Sequence, residues 1–222
     1  VTSRTPPEPA AGLDARRRRA RRGPTDDYQQ RRKELLDAAA QVFRTRGFAK
    51  ATMSDVAATA GTDRAAAYYY VESKAELLVE LTRAALEQGM AGLREIADGE
   101  GSVPDKLRRI VVFEMTLYAE HDPCLHLYAM EDISRLDVDE ARQAELAALA
   151  QQSFEIVRDV VAEGLRDRSL SSHLSGGVIA QTIVGMVAWS NRWYDPSRRP
   201  RLDHLADDLA GIVLNGLVTR DT

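Results

Sequence analysis

The sequence predicts an all-α protein. A three-helix N-terminal unit holds a helix-turn-helix, and a larger helical body follows, about nine helices in all. Three observations lead there. Apolar residues recur at spacings of three and four along most of the chain. No segment alternates polar and apolar with β-branched enrichment, so no strand is expected. Glycines and capping signatures cut the N-terminal pattern into short pieces.

The 222 residues divide into 1–24, 25–72 and 73–222. Residues 1–24 hold four prolines, almost no large apolar side chain, and Arg16, Arg17, Arg18, Arg19, Arg21 and Arg22. Such a segment buries too little to offset its ordering and is expected to be a disordered basic arm. Helix 1 is expected over 26–46, with Leu35, Ala39, Val42 and Phe43 as its stripe and Gly47 as its stop. Thr52 and Asp55 form a capping box at the start of a short helix that ends at Gly61. Thr62 or Asp63 caps the next, which carries Tyr68, Tyr69 and Tyr70. Ser73 with Glu76 reads as a second capping box, opening a helix to about Ile96. Residues 98–104 are a loop by composition, and helices are expected near 104–120, 123–133, 139–167, 175–194 and 202–219.

Charge is unevenly distributed. The chain carries −4 overall, but residues 1–24 carry +5, residues 25–80 carry −1, and the remainder −8. A near-neutral helix-turn-helix gains little from counterion release, so the arm is where phosphate attraction is concentrated. Such an arm either enters a minor groove or is a solvated tail. No HExxH, GxSxG, Walker or GxGxxG pattern occurs, so an enzyme is not expected. Cys124 is the only cysteine, and His121 and His126 lie five apart across a helix start, so neither a metal site nor any cofactor is expected. No apolar run reaches membrane-spanning length and the N-terminus has no apolar signal region, so a cytoplasmic protein with no membrane partner is expected.

The stretch from Arg31 through Gly47, Phe48, Thr52, Asp55, Val56, Ala57, Ala60, Gly61 and Tyr68 to Ser73-Lys74-Ala75-Glu76-Leu77 resembles the TetR family of bacterial transcriptional regulators over about 50 ungapped residues. The resemblance implies a homodimer on a palindromic DNA operator, released when a small molecule enters the body. The recognition helix departs from the family pattern: Ala65-Ala66-Ala67 replaces Gly-Thr-Leu, and Val71-Glu72 replaces Phe-Pro. Arg64 is the candidate for a bidentate guanine contact, and Ala65 and Ala66 offer only apolar contact, for example to a thymine methyl. Thr62 lies at the helix tip. Thr52, Tyr69 and Lys74 are candidates for phosphate. Tyr68 is expected in the small core, and Tyr70 suits either role.

By the same resemblance the last two helices form a four-helix dimer bundle. Ile183, Gly185, Leu202, Leu205, Leu209, Ile212 and Gly216 are its candidate residues. The segment from Trp189 to Tyr194 is similar to a branch that includes regulators of lipid and steroid degradation, some answering to acyl-CoA thioesters. Candidate pocket residues are Met115, Tyr118, Leu125, Tyr128, Phe154, Met186, Trp189 and Trp193, with Arg135 or Arg192 for an anionic group. Each also fits ordinary core or seam packing. A helical dimer that binds a ligand or protein without reading DNA is the alternative function.

Overall fold

The structure is a computed structural model that describes residues 26–129, 138–194 and 201–217. Among the described residues there are nine helices and no strand. None of these helices is long and apolar enough to cross a membrane.

Helix α1 spans Asp26–Arg46, with Asp26 and Asp27 at its start and Arg44 and Arg46 at its end, each sign matched to the helix dipole. Leu35, Ala38, Ala39, Val42 and Phe43 make one buried stripe. Gly47 stops the helix at φ +74°. Helix α2 (Met53–Thr59) starts with the reciprocal Thr52–Asp55 capping box. Gly61 then turns at φ +67°, and the Thr62 amide donates to the Ala57 carbonyl at 2.9 Å. A side chain at that φ is strained, so glycine sets the angle between α2 and α3. Helix α3 (Arg64–Tyr70) is capped by Asp63, whose carboxylate accepts from the Ala66 amide at 2.8 Å. Asp63, rather than Thr62, is therefore the cap.

Helix α4 (Lys74–Asp98) is capped by Ser73. Here the second capping box is only half formed. The Glu76 amide donates to Ser73 Oγ, but the Glu76 carboxylate accepts from the Glu72 amide. The same carboxylate is held by Arg32, which also pairs with Glu80. One oxygen of Glu76 thus serves the Glu72 amide and the other a cation on α1.

Phe43, Val56, Ala57, Ala67, Leu77 and Leu78 form the N-terminal core. Tyr68 does not join it, contrary to expectation. Ala67 is the residue of α3 that is fully buried, and Tyr68 is 42% exposed. The small Ala67 brings the α3 backbone close, which turns the next residue outward. Leu77, Leu78 and Val79 of α4 also lie in this core, together with Cys124 and Leu146. Packing therefore runs across the boundary that composition placed at 72.

The body comprises α5 (Val103–Glu120), α6 (Cys124–Ala129), α7 (Glu140–Asp167), α8 (Gly176–Trp193) and α9 (Leu202–Leu217). The loop ahead of α5 is shorter than composition suggested. Ser102 caps the helix and Pro104 sits in its first turn, where no backbone donor is needed. Helix α4 lies on α5 and α7, α8 on α5 and α7, and α9 on α5. Gly92 lets α4 approach α5: a Cβ there would lie 2.2 Å from the Phe113 ring.

The core is built from Leu107, Ile110, Val111, Val157, Val161 and Val187 and includes Ile183 and Leu209, at 1% and 8% exposure. Those last two, taken from the sequence as seam residues, are buried within the subunit because α8 and α9 turn them onto α5 and α7. Leu202 and Leu205 are half-buried against the same core. Ile212 is 67% exposed, and with Gly216 and Met186 it borders an open apolar cleft between α8, α9 and the α7–α8 connection.

Candidate nucleic-acid interface and internal cavity

Helix α3 presents Arg64, Ala65, Tyr68 and Tyr69 to solvent, with Thr62 and Ala66 half-buried beside them. One helical turn separates Arg64 from Tyr68, and the guanidinium lies over the Tyr68 ring at 5.5 Å. A hydrogen bond of 3.5 Å to the Tyr68 hydroxyl steadies it. The pair forms one exposed edge with a fork of donors. Tyr69 is 74% exposed and packs edge-on against Tyr70 and, at 6.1 Å, Tyr28 of α1. Its hydroxyl is thereby carried on a braced ring.

Two of the candidate phosphate holders have intramolecular work. Lys74 Nζ donates to the carbonyls of Phe48 and Ala51 at 2.6 and 2.9 Å and sits over the Phe48 ring. Partial burial lowers its pKa. It ties α4 to the turn between α1 and α2. The Thr52 hydroxyl donates to the Asp55 carboxylate at 2.7 Å and accepts from the Asp55 amide. Hydrogen bonds from the Thr52 hydroxyl and the Thr52 amide hold the half-buried Asp55 carboxyl below its usual range, with Arg46 adding an ion pair at 2.6 Å. The strip therefore carries a fixed anion beside its basic groups. Arg16, Arg17, Arg18, Arg19, Arg21, Arg22 and Arg135 lie outside the described residues, as does the side chain of Arg192.

In the body, α4 to α8 enclose a mostly apolar cavity of about 360 Å³. This is the size of a small-ligand site. Tyr118, Leu125, Tyr128, Phe154 and Trp189 stand in its wall. Three other candidates do not. Met115 is buried in the body core, because its position on α5 points away from the cavity. Met186 borders the α8–α9 cleft instead. Trp193, 39% exposed near the end of α8, lies beyond the wall. Gly185, assigned to the seam from sequence, lines the cavity. A Cβ there would meet nothing within 4 Å.

Glu114 and Ser153 also line the cavity, and both were missed. Glu114 is 8% exposed, and its Oε2 is enclosed without a hydrogen-bond partner. Burial pushes its carboxyl up to about 7. The Tyr118 hydroxyl is pushed well up by burial and by the neighbouring Glu114 carboxylate. Ser153 Oγ is likewise enclosed and unpartnered. A signal for Glu114 exists in the sequence: it interrupts the apolar run from Ile110 to Leu117 on a buried helix.

Helix α6 joins the two regions. Leu125 and Tyr128 face the cavity, whereas Cys124 and Leu127 pack in the N-terminal core. The Tyr128 hydroxyl donates to the Leu146 carbonyl at 3.2 Å, and Leu146 belongs to that same core. Burial raises the Cys124 thiol to about 12, which leaves it unreactive packing. Among the described residues no group of three His, Cys, Asp or Glu is arranged to hold a metal ion.

Residues 35–81 match the model of bacterial regulatory proteins of the tetR family, and residues 100–217 match the tetracyclin repressor-like C-terminal domain. The chain is 29% identical over 192 residues to the HTH-type transcriptional repressor KstR2 of Rhodococcus jostii, covering 85% of this chain and 92% of that one. It is 28% identical over 184 residues to the HTH-type transcriptional activator FasR of Mycolicibacterium smegmatis, covering 82% and 79%. The solved ketosteroid transcriptional regulator KstR2 of Mycobacterium tuberculosis superposes with a TM-score of 0.72 at 25% identity, covering 86% of this chain and 96% of that one.

Proposed function

The chain belongs to the TetR family of bacterial regulatory proteins, and from that premise we propose a ligand-responsive transcriptional repressor. It binds a palindromic operator as a homodimer and lets go when a small hydrophobic molecule fills the cavity. One observation carries this reading: α6 is at once a wall of the cavity and a piece of the N-terminal core. A molecule that displaces Leu125 or Tyr128 must also shift Cys124 and Leu127, one or two residues away. Such a shift is felt where α2 and α3 are held, because packed cores resist continuous deformation.

Arg64 reads a base, with Tyr68 positioning it, and Tyr69 meets a phosphate. The two-fold axis runs through the exposed face of α8 and α9 around Ile212 and Gly216. Residues 16–22 add minor-groove contacts. The effector is lipid-derived, either ring-bearing or an acyl-CoA whose nucleotide stays outside the apolar cavity. The lipid-derived class is supported by the aromatic wall and by the resemblance to a ketosteroid regulator.

Operator selection from random duplexes, followed by anisotropy titration, tests the reading. A palindromic consensus bound by two chains is expected. Recovery of no sequence preference overturns it. Deleting residues 1–22 is expected to weaken binding and flatten the dependence of log K on log salt. An unchanged slope removes the arm from the interface.

A further inference from the structure

The cavity holds an unmet chemical demand. Glu114 comes from α5 and Ser153 from α7, two helices packed on each other, and both line the same space. Each has an oxygen fully enclosed without a hydrogen-bond partner. Unpaired buried polar groups are costly and rare, and a ligand that pairs them recovers that cost. No Lys, Arg or His side chain lies among the described residues of the wall. An anionic end there would meet the Glu114 carboxyl, and the described wall offers it no positive charge.

We infer that the cavity receives the uncharged, oxygen-bearing end of its effector, an alcohol or ketone on a compact apolar skeleton, held by Glu114 and Ser153. The inference rests on the effector reading above and narrows it. A hydroxyl both donates and accepts, and a ketone accepts. A neutral carboxyl on one wall and a serine hydroxyl on another can each meet either with a donor, and each can accept from the alcohol. Among the described residues no donor reaches Glu114 Oε2, and burial favours the neutral form of the carboxyl. A cationic effector would need the carboxylate. Any anionic portion of the effector is left at the mouth.

The experiment uses the full chain and one decalin skeleton carrying an alcohol, a ketone, a carboxylate, a primary amine or no polar group. Binding is read by calorimetry, and operator affinity is read in parallel. The alcohol and ketone are expected to bind about tenfold more tightly than the hydrocarbon. The carboxylate is expected to bind more weakly than either. Glu114→Leu should erase the preference for the alcohol over the hydrocarbon. Glu114→Gln, which still donates and accepts without charge, should keep it within about threefold. Both variants are first shown to melt cooperatively and to bind the operator. Tightest binding of the amine, lost in Glu114→Gln, overturns the inference. So does a carboxylate that binds as well as the alcohol, a preference untouched by Glu114→Leu, or no binding by any probe. Probe binding in the expected order without operator release breaks the effector reading and leaves the ligand chemistry standing. Operator release by the carboxylate alone does the reverse.

Discussion

Arg32 and Glu114 are each an ionisable residue set into the edge of a hydrophobic core, and the two regions treat them in opposite ways. Arg32 on α1 is engaged by two carboxylates of α4, Glu76 and Glu80, which raise its pKa. Arg142 of α7 approaches Glu76 at 4.0 Å and extends the network. Glu114 Oε2 has no such partner among the described residues, and burial moves the carboxyl toward neutrality. The N-terminal unit thus uses its polar groups to fix how helices meet. The body keeps two of them in reserve around an open space. A paired buried charge reports on architecture, and an unpaired one in a cavity reports on something that enters.

The comparison is broken most sharply through pH. The Glu114 pKa is raised when folded, from an ordinary 4.5 to about 7. Between those values the folded state keeps a proton the unfolded chain has lost. Stability therefore falls as pH rises through that window and is level above it. Tyr118 and Tyr128, which face the same cavity, do not titrate in that range. Glu114→Gln should remove the dependence, so urea unfolding of the variant gains on the parent by roughly 3 kcal/mol over the window. Parallel curves would show Glu114 to be solvated or paired, and the contrast with Arg32 would fail.

Arg32→Ala is the converse. It strands Glu76 and Glu80 without their cation and should cost about 2 kcal/mol, between exposed and fully buried pairs. Chemical denaturation measures it. A loss no greater than that of a surface pair would mean that packing alone docks α1 on α4.

Arg64→Ala tests whether the exposed donor fork on α3 reads bases. It should lower affinity for the selected operator about tenfold and leave the melting temperature unchanged. Equal loss on non-specific DNA would reassign Arg64 to phosphate. The smallest change is expected of Gly185→Leu, whose side chain enters the empty space of the cavity. Helix propensity gains about 1 kcal/mol. Operator binding persists and the decalin alcohol is excluded. A variant that still binds the alcohol would place the site elsewhere.

The elements read most directly from sequence were those set by near neighbours in the chain. Thr52 and Asp55 are three residues apart, and Gly61 alone permits the turn, so α1, α2 and α3 were legible. The Ser73–Glu76 box forms only in part because Glu76 reaches the Glu72 amide with one oxygen while Arg32, forty-four positions away, holds the other. The intramolecular role of Lys74 was not legible because its two carbonyl partners are more than twenty residues distant. Of the pocket candidates, aromatic size was a fair guide for Tyr118, Phe154 and Trp189, whereas Met115 and Met186 were apolar in the right helices but on other faces.

By itself the sequence determined the all-helical class, the helix-turn-helix and the family, because periodicity, caps and turn glycines act within a few residues. Tertiary structure alone decided which side of α5 meets empty space. That choice turned Glu114 toward the cavity and Met115 into the core, and set Gly185 in the cavity wall. The physical reason is that helix periodicity marks a face as apolar without saying what lies opposite it. Only the packing of five helices around one gap distinguishes a filled core from a place kept for a ligand.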